Sequence, residues 1–204
     1  MKIRSDSFEQ GKPIPPEFAM GAREGADGFG GNRNPHLAWD GAPAGTRSFA
    51  LLCIDTDAPT DAALVANSAV AIPVDHPRGD FVHWVLVDIP AQGSCIAAGS
   101  HSDGVTAHGK GARAVEGARH GLNDYTGWFA GNADMQGNYH GYDGPYPPAH
   151  DLRTHRYFFR VFALDVETLE LPPAFTAAEV FHAMQGHLLG EASTFGTYTL
   201  NTDN

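Results

Sequence analysis

Three stretches of the chain are dominated by apolar residues and predict strands. They are residues 46–55, 81–90 and 155–166. All three contain β-branched or aromatic residues, and the second stops at Pro90. The first is apolar almost without interruption, which is typical of a strand covered on both faces. These segments therefore predict the central part of a β-sheet core.

A helix is predicted near the C-terminus, where the apolar spacing changes. Thr176 and Glu179 have the spacing of a capping box, which satisfies free N–H groups at a helix start. One apolar stripe follows, and Gly190 would end the helix. The stripe consists of Val180, Phe181, Met184, Leu188 and Leu189. A last strand is predicted over residues 193–200.

The segments between these elements read as long connections. Residues 10–45 are rich in Gly, Pro and Asn, and residues 60–80 read as an excursion outside the core sheets. Residues 91–143 are too long for a structureless loop in a compact domain, so short unrecognised elements are expected there. Several strands, long loops and one late helix favour a mainly β sandwich, taken as a single domain over residues 1–204.

Composition narrows the class of partner. The 24 acidic and 13 basic residues give a net charge of −11, which disfavours binding to nucleic acid or to an anionic membrane. No apolar run is long enough for a signal peptide or a spanning helix, so a cytoplasmic protein is expected. In that compartment the two cysteines, Cys53 and Cys95, are expected to stay reduced.

Ionisable and polar groups recur near the ends of the three predicted strands. Alternate residues of a strand point to the same face of the sheet. By this rule, the polar groups lie on the same face as the apolar residues of their own strand. They are Asp55 and Asp57 on the first strand, His83 on the second, and His155 and Tyr157 on the third. Each alone has an ordinary structural explanation. Together they predict a pocket at the mouth of a sandwich.

The third strand is preceded by a proline-rich turn, residues 144–148, which would restrict one pocket wall. An Asp beside a His favours the imidazolium and orients it, and Tyr adds a neutral donor. Such a cluster can hold a small anion, with the carboxylates orienting donors because a bare carboxylate repels a phosphate. Residues 149–154 have no assigned role and are a candidate for the segment that selects the ligand.

Three motifs resemble the phosphatidylethanolamine-binding protein family, especially its bacterial branch often labelled Raf kinase inhibitor-like. They are Asp55-Thr56-Asp57-Ala58-Pro59, His83-Trp84, and Gly144-Pro145-Tyr146-Pro147-Pro148 followed by His155-Arg156-Tyr157. Their order and approximate spacing agree with the family, and weaker similarities cover nearly the whole chain. Thr56 stands where the family usually has proline, which removes one fixed backbone angle from that turn.

The resemblance implies an antiparallel β-sandwich with a few peripheral helices and a cis Ala58–Pro59 bond. It also implies an anion pocket whose walls are built or supported by Asp55, Asp57, His83, Pro145, His155 and Tyr157. The leading hypothesis, based on the cluster of His83, His155 and Tyr157, is a non-catalytic protein without cofactor or metal that binds a phosphate-bearing ligand, such as a phospholipid headgroup or a phosphorylated side chain. Docking on a kinase or protease and a homodimer are further family implications.

Two other functions stay open at this point. A metal-dependent hydrolase could use the two Asp and two His of the predicted cluster to hold Zn²⁺ or Mn²⁺, although no His-Glu-x-x-His pattern is present. A regulator that docks on another protein could use the same pocket for an acidic or phosphorylated side chain. Nothing in the residues selects its partner.

Overall fold

The computed structural model describes residues 1–25 and 28–203, apart from the side chain of Glu116. The strands are β1 (Lys2–Arg4), β2 (Leu37–Asp40), β3 (Ser48–Pro59), β4 (Arg78–Pro90), β5 (Cys95–Ile96), β6 (Arg119–His120), β7 (His155–Leu164) and β8 (Leu188–Tyr198). The helices are α1 (Ala62–Ala66), α2 (Tyr125–Trp128) and α3 (Ala177–Ala183). The long 91–143 connection thus contains short elements, as predicted.

The strands form two antiparallel sheets. The smaller has the order β1-β2-β5, and the larger has the order β6-β4-β3-β7-β8. The three strongest apolar segments of the sequence become β4, β3 and β7, which are neighbours in the larger sheet. The prediction of a mainly β, antiparallel fold with few helices is confirmed. The assignment of residues 1–204 to one domain stays a prediction.

The larger sheet is buried on both faces, which explains the uninterrupted apolar pattern of β3. One face packs against β2 and β5 of the smaller sheet, with Leu51, Cys53 and Phe159 in this core. The other face is covered by α3 and the segment before it, through Leu52 and Val180 among others. Alternate residues of β3 therefore enter two different apolar cores.

The side chains of β4 do not alternate regularly between the two faces of the sheet. His83 therefore lies on the opposite face from the one that alternation with Val85 and Val87 predicts. Val85 and Val87, which share its parity, lie in the core beneath α3. His83 instead contacts Tyr157, with ring centroids 5.2 Å apart. The register explains this, because Ile54 pairs with Val82 whereas Cys53 pairs with Trp84. The extra residue is a β-bulge, which turns His83 to the opposite face from Val85.

The C-terminal helix is shorter than predicted. The capping box is present, with Glu179 accepting from the Thr176 backbone N–H at 2.8 Å. The helix ends at Ala183, and a turn containing Gly186 at a φ of +85° leads into β8. Leu188 and Leu189 are exposed residues of that strand rather than a helical stripe. The apolar spacing that suggested one helix spans a helix, a turn and a strand.

Three smaller expectations have clear outcomes. The described residues contain no cis peptide bond, so the expected cis Ala58–Pro59 bond is wrong. Ala58 pairs with Gly79 and Pro59 pairs with Arg78, which continues β3 as an extended strand. The two cysteines are free, one buried and one exposed. In the part of the chain that the structure describes, no helix is long and apolar enough to cross a membrane.

Candidate functional site

A cavity of about 730 Å³ opens where β3, β4 and β7 end, next to residues 22–23, 28–29, 125–135 and 146–150. Its walls are largely aromatic or apolar. They include Phe29, Phe81, Tyr125, Trp128, Phe129, Met135, Tyr146, Pro147 and Pro148. The polar end of the cavity is made by strand residues. A ligand here would contact rings over most of its surface and polar groups at one end.

Four of the six predicted site residues line this cavity, namely Asp55, His83, His155 and Tyr157. Asp57 is not among the lining residues. Its buried carboxylate is bound by Arg156 through Nε at 2.8 Å and by Arg153 through Nε at 2.7 Å. Burial alone would raise the pKa of Asp57, but the hydrogen bonds and positive charge of Arg156 lower it overall.

Pro145 is also absent from the cavity wall. Its carbonyl accepts a hydrogen bond from the Gly21 N–H at 3.0 Å, which fixes the start of the turn. The following residues, Tyr146, Pro147 and Pro148, form the wall instead. The proline-rich turn therefore contributes to the pocket as predicted, through positions one to three residues later.

His155 is clamped between two carboxylates. Its Nδ1 lies 2.7 Å from Asp55 Oδ2, and its Nε2 lies 3.0 Å from Asp151 Oδ2. Burial alone would lower the pKa of His155, but the hydrogen bonds to Asp151 and Asp55 outweigh burial and raise it to about 9. The ring is an imidazolium at neutral pH, and both of its N–H groups are already engaged. His155 thus organises the site and has no donor left for a ligand.

His83 has the opposite arrangement. Its Nδ1 lies 2.7 Å from the carbonyl oxygen of Asp143, which can only accept, so Nδ1 carries the proton. Burial lowers the pKa of His83, despite the attraction of Asp55 and the bond to Asp143. The ring is therefore neutral, and Nε2 is the ring nitrogen left for the cavity.

Tyr157 supplies a hydroxyl without a partner. The residue is fully buried, and its Oη has no hydrogen-bond partner among the described residues. Burial and the charge of Asp55 raise the pKa of Tyr157 well above its usual value, so the hydroxyl keeps its proton. An unsatisfied buried hydroxyl costs free energy unless something binds it. Because Tyr157 lines the cavity, this hydroxyl is the candidate donor for a ligand.

Sequence reasoning missed Asp143, which orients His83. Its fully buried carboxylate is held by Lys110 Nζ at 2.5 Å, Asn32 Nδ2 at 2.8 Å and Asn123 Nδ2 at 2.9 Å. Its backbone N–H donates to the His83 carbonyl at 3.0 Å. These contacts fix the carbonyl that holds His83. Four residues from separate loops meet here, and no local pattern announces them.

The proline-rich motif begins with Gly144, and the structure shows why glycine is required there. A Cβ at Gly144 would lie 2.3 Å from the Phe18 carbonyl oxygen, so only glycine fits. Its N–H donates to Asn32 Oδ1 at 2.8 Å, and its carbonyl accepts from the Tyr125 hydroxyl at 2.9 Å. The turn is thereby tied to two loops that border the cavity.

Comparisons with known proteins agree with this geometry. The family model of phosphatidylethanolamine-binding protein matches residues 4–199. The chain belongs to the phosphatidylethanolamine-binding protein family. It is 33% identical to a "UPF0098 protein" of Aquifex aeolicus over 97% of this chain and 88% of the relative. It is 30% identical to the "Putative lipoprotein LppC" of Mycobacterium tuberculosis over 97% of this chain and 72% of LppC.

Solved structures of the phosphatidylethanolamine-binding protein family share the fold. The crystal structure of YbcL from Escherichia coli, described as a new member of the mammalian family, superimposes with a TM-score of 0.70. It is 25% identical in sequence, and the match covers 97% of each chain. The family resemblance expected from three short motifs is confirmed over almost the whole chain.

Residues 149–154, between the proline-rich motif and the His-Arg-Tyr motif, support the site through Asp151. Asp151 clamps His155 and also binds Arg78 through both oxygens, at 2.6 and 3.0 Å. Burial alone would raise the pKa of Asp151, but hydrogen bonds to His155 and Arg78 lower it to about 2. The spacing of Asp151 and His155 did not indicate this contact, because residues four positions apart are neighbours on a helix and this segment is not helical. Nothing local identified Arg78 as its partner.

Two of the four residues that a metal-dependent hydrolase would use as ligands, His155 and Asp57, are bound to other side chains of the protein. His155 has carboxylates at both nitrogens, and Asp57 is bound to two arginines. Over residues 1–25 and 28–203, no group of three His, Cys, Asp or Glu side chains is arranged to hold a metal ion. Two further histidines, His101 and His120 of β6, contact each other at 3.2 Å outside the cavity wall. Burial lowers their pKa values to about 4 and about 3.

Proposed function

We propose that this protein is a non-catalytic binding protein whose pocket takes a small phosphate-bearing ligand. The phosphoryl group would lie at the polar end, between His83 and Tyr157. The rest of the ligand would lie against the aromatic walls. The observation that supports this most strongly is the buried Tyr157 hydroxyl, which lines the cavity and has no partner in the described chain.

The energetic argument is that a buried donor without a partner costs roughly 1–3 kcal/mol, which a bound acceptor would recover. A phosphoryl oxygen is a strong acceptor of this kind. The cavity volume lies within the range typical of small-molecule pockets. The aromatic walls exceed what a bare phosphate ion can contact, which favours a ligand with an apolar or planar portion beyond its phosphoryl group.

Charge also supports a ligand bound by neutral groups, namely the Tyr157 hydroxyl and the His83 ring. Asp55 lies in the cavity wall, and its carboxylate is balanced by the His155 imidazolium 2.7 Å away. The clamp therefore leaves little net negative charge at the polar end. An anion can approach it, although the protein as a whole carries a net charge of −11.

Isothermal titration with phenyl phosphate tests the proposal, because this probe combines a phosphoryl group with an aromatic ring. We expect saturable binding to the wild type and a loss of at least tenfold in affinity for His83→Ala. The matched control is His187→Ala, since His187 pairs with Asp165 at the surface, away from the cavity. Its affinity should equal that of the wild type.

The proposal is wrong if phenyl phosphate fails to bind, or if His83→Ala and His187→Ala bind it equally. Thermal melting of both variants shows whether each is folded. Tyr157→Phe replaces the alanine variant if the latter unfolds, because it removes the other proposed contact with the phosphoryl group. His155→Ala is a poor test of ligand contact, because both ring nitrogens of His155 bind carboxylates within the protein.

Three finer expectations stay predictions within this proposal. Docking on a kinase or protease is tested by capture of partners from native extract with wild type and His83→Ala, where identical partner lists would count against a role for the pocket. A homodimer is tested by analytical ultracentrifugation. A cytoplasmic location is tested by cell fractionation; the similarity to LppC, named as a lipoprotein, makes this experiment informative.

A further inference from the structure

The polar end of the cavity has more hydrogen-bond acceptors than donors. Tyr157 contributes a free O–H, whereas His83 contributes a nitrogen lone pair at Nε2. Asp55 contributes a carboxylate whose Oδ1 accepts from the Asp57 N–H at 2.8 Å and whose Oδ2 accepts from His155. An anion with only acceptor atoms would face two acceptors and one donor. A ligand that itself carries an O–H suits this arrangement better.

The acceptor character of His83 is built into the surrounding fold. A carbonyl oxygen cannot donate, so the 2.7 Å contact with Asp143 places the ring proton on Nδ1. The Asp143 backbone is fixed in turn by its N–H bond to His83 and by the three side chains that hold its carboxylate. The ring of His83, a residue of the cavity wall, is therefore oriented before any ligand binds, with Nε2 unprotonated.

The groups that surround His83 come from several elements. Asp55 on β3, Asp124 before α2, and Asp143 on the proline turn exert negative charge on the ring. The neighbouring rings belong to Phe81, Tyr125 and Tyr157, at centroid distances of 5.0, 5.5 and 5.2 Å. The His155 imidazolium stacks with Tyr157, at 6.4 Å between centroids. Burial still lowers the pKa of His83 among these carboxylates.

We propose that the pocket selects a phosphoryl group that carries a proton, with the ligand P–O–H donating to His83 Nε2 and a second phosphoryl oxygen accepting from the Tyr157 hydroxyl. This rests on the proposed function and narrows its ligand class. A phosphate monoester keeps such a proton in about half of its molecules at pH 6, since its second pKa is about 6, and inorganic phosphate keeps one in both of its forms near neutral pH. Phosphodiesters and sulfate lack it. A protonated monoester is also repelled less by Asp55 than a dianion is.

The first experiment compares ligands of matched shape by isothermal titration at pH 6. One pair is inorganic phosphate and sulfate, and the other is phenyl phosphate and methyl phenyl phosphate, a diester. We expect the protonated member of each pair to bind at least tenfold more tightly. Equal or tighter binding of sulfate and of the diester overturns the inference while leaving phosphoryl binding intact. Failure of all four probes to bind overturns both this inference and the proposed function.

The second experiment observes the ring directly. Nitrogen-15 NMR of His83 in the phenyl phosphate complex should show Nδ1 protonated and Nε2 unprotonated but hydrogen-bonded. A doubly protonated ring in the complex overturns the inference even if phosphate is preferred over sulfate. This measurement uses the wild-type protein and does not depend on the stability of any variant.

The third experiment measures the preference of the His83→Gln variant for phosphate over sulfate. His83→Gln offers the ligand both an amide donor and an amide oxygen, so it should accept sulfate as well as phosphate. The ratio of phosphate affinity to sulfate affinity should therefore fall from at least tenfold towards one. A ratio unchanged from the wild type would mean that His83 does not set the preference.

Discussion

His155 and His83 both pack against the ring of Tyr157, yet their nitrogens are in opposite situations. Both nitrogens of His155 contact carboxylates, so its hydrogen bonding is complete within the protein. His83 uses one nitrogen within the protein, and Tyr157 uses none of its hydroxyl capacity. The comparison separates residues that build the pocket from residues that can bind in it.

The distinction matters because all three residues belong to the motifs by which the sequence resembles its family. Their identity alone does not tell which one meets the ligand. Buried polar groups in proteins are nearly always hydrogen-bonded, so an incomplete set at a cavity wall is informative. By this criterion the binding groups are His83 and Tyr157, and the supporting groups are Asp55, Asp151 and His155.

The largest expected effect comes from breaking the clamp. Asp151→Asn removes the charge that faces His155 and Arg78, both of which are buried. Loss of one partner from a buried ion pair typically costs about 3–5 kcal/mol. Urea denaturation should therefore show a large loss of stability.

The matched control for this clamp variant is Asp165→Asn. Asp165 pairs with His187 at 2.8 Å, but both side chains are about half exposed. A surface pair of this kind contributes at most about 1 kcal/mol. Equal losses in the two variants would show that the buried clamp has no special role in stability.

The second effect is a dependence of stability on pH. The folded state raises the pKa of His155 from 6.5 to about 9, so it binds a proton that the unfolded chain releases. This contribution is fully present below pH 6.5 and is lost as the pH rises through about 9. It amounts to about 3 kcal/mol. Denaturation midpoints measured from pH 6 to 10 should fall in the wild type, whereas His155→Gln should lack that part of the slope.

A smaller loss of stability is expected for a change at Asp57. This residue was predicted to build or support the pocket wall, and it is not among the residues that line the cavity. Asp57→Asn weakens the contacts with Arg153 and Arg156, and we expect a loss of about 1–2 kcal/mol in unfolding free energy. The affinity for phenyl phosphate should stay within twofold of the wild type. A tenfold loss of affinity in a folded variant would show that Asp57 takes part in ligand binding.

Much of this architecture could be predicted from the sequence because it follows local patterns. The apolar segments around Leu51, Val85 and Val161 become adjacent strands of the larger sheet, and polar residues at their ends meet at one cavity. Alternation failed at His83, because a β-bulge depends on pairing with β3 rather than on the sequence of β4.

The supporting network could not be read from the sequence for a related reason. Asp143 is held by residues 20 to 111 positions away in the chain, and Arg78 reaches Asp151 across 73 positions. These contacts exist only after the sheets have formed. The apolar residues after Met184 also continued a helical spacing by chance, and Gly186 interrupts the helix there.

The most direct test of the comparison is Tyr157→Phe, with stability and phenyl phosphate affinity measured on the same preparation. The hydroxyl has no partner within the described chain, so its removal should leave the free energy of unfolding unchanged or slightly higher. The affinity should fall about tenfold, corresponding to one lost hydrogen bond of about 1.4 kcal/mol. A marked loss of stability with unchanged affinity would contradict the account, since it would make Tyr157 a supporting residue like His155.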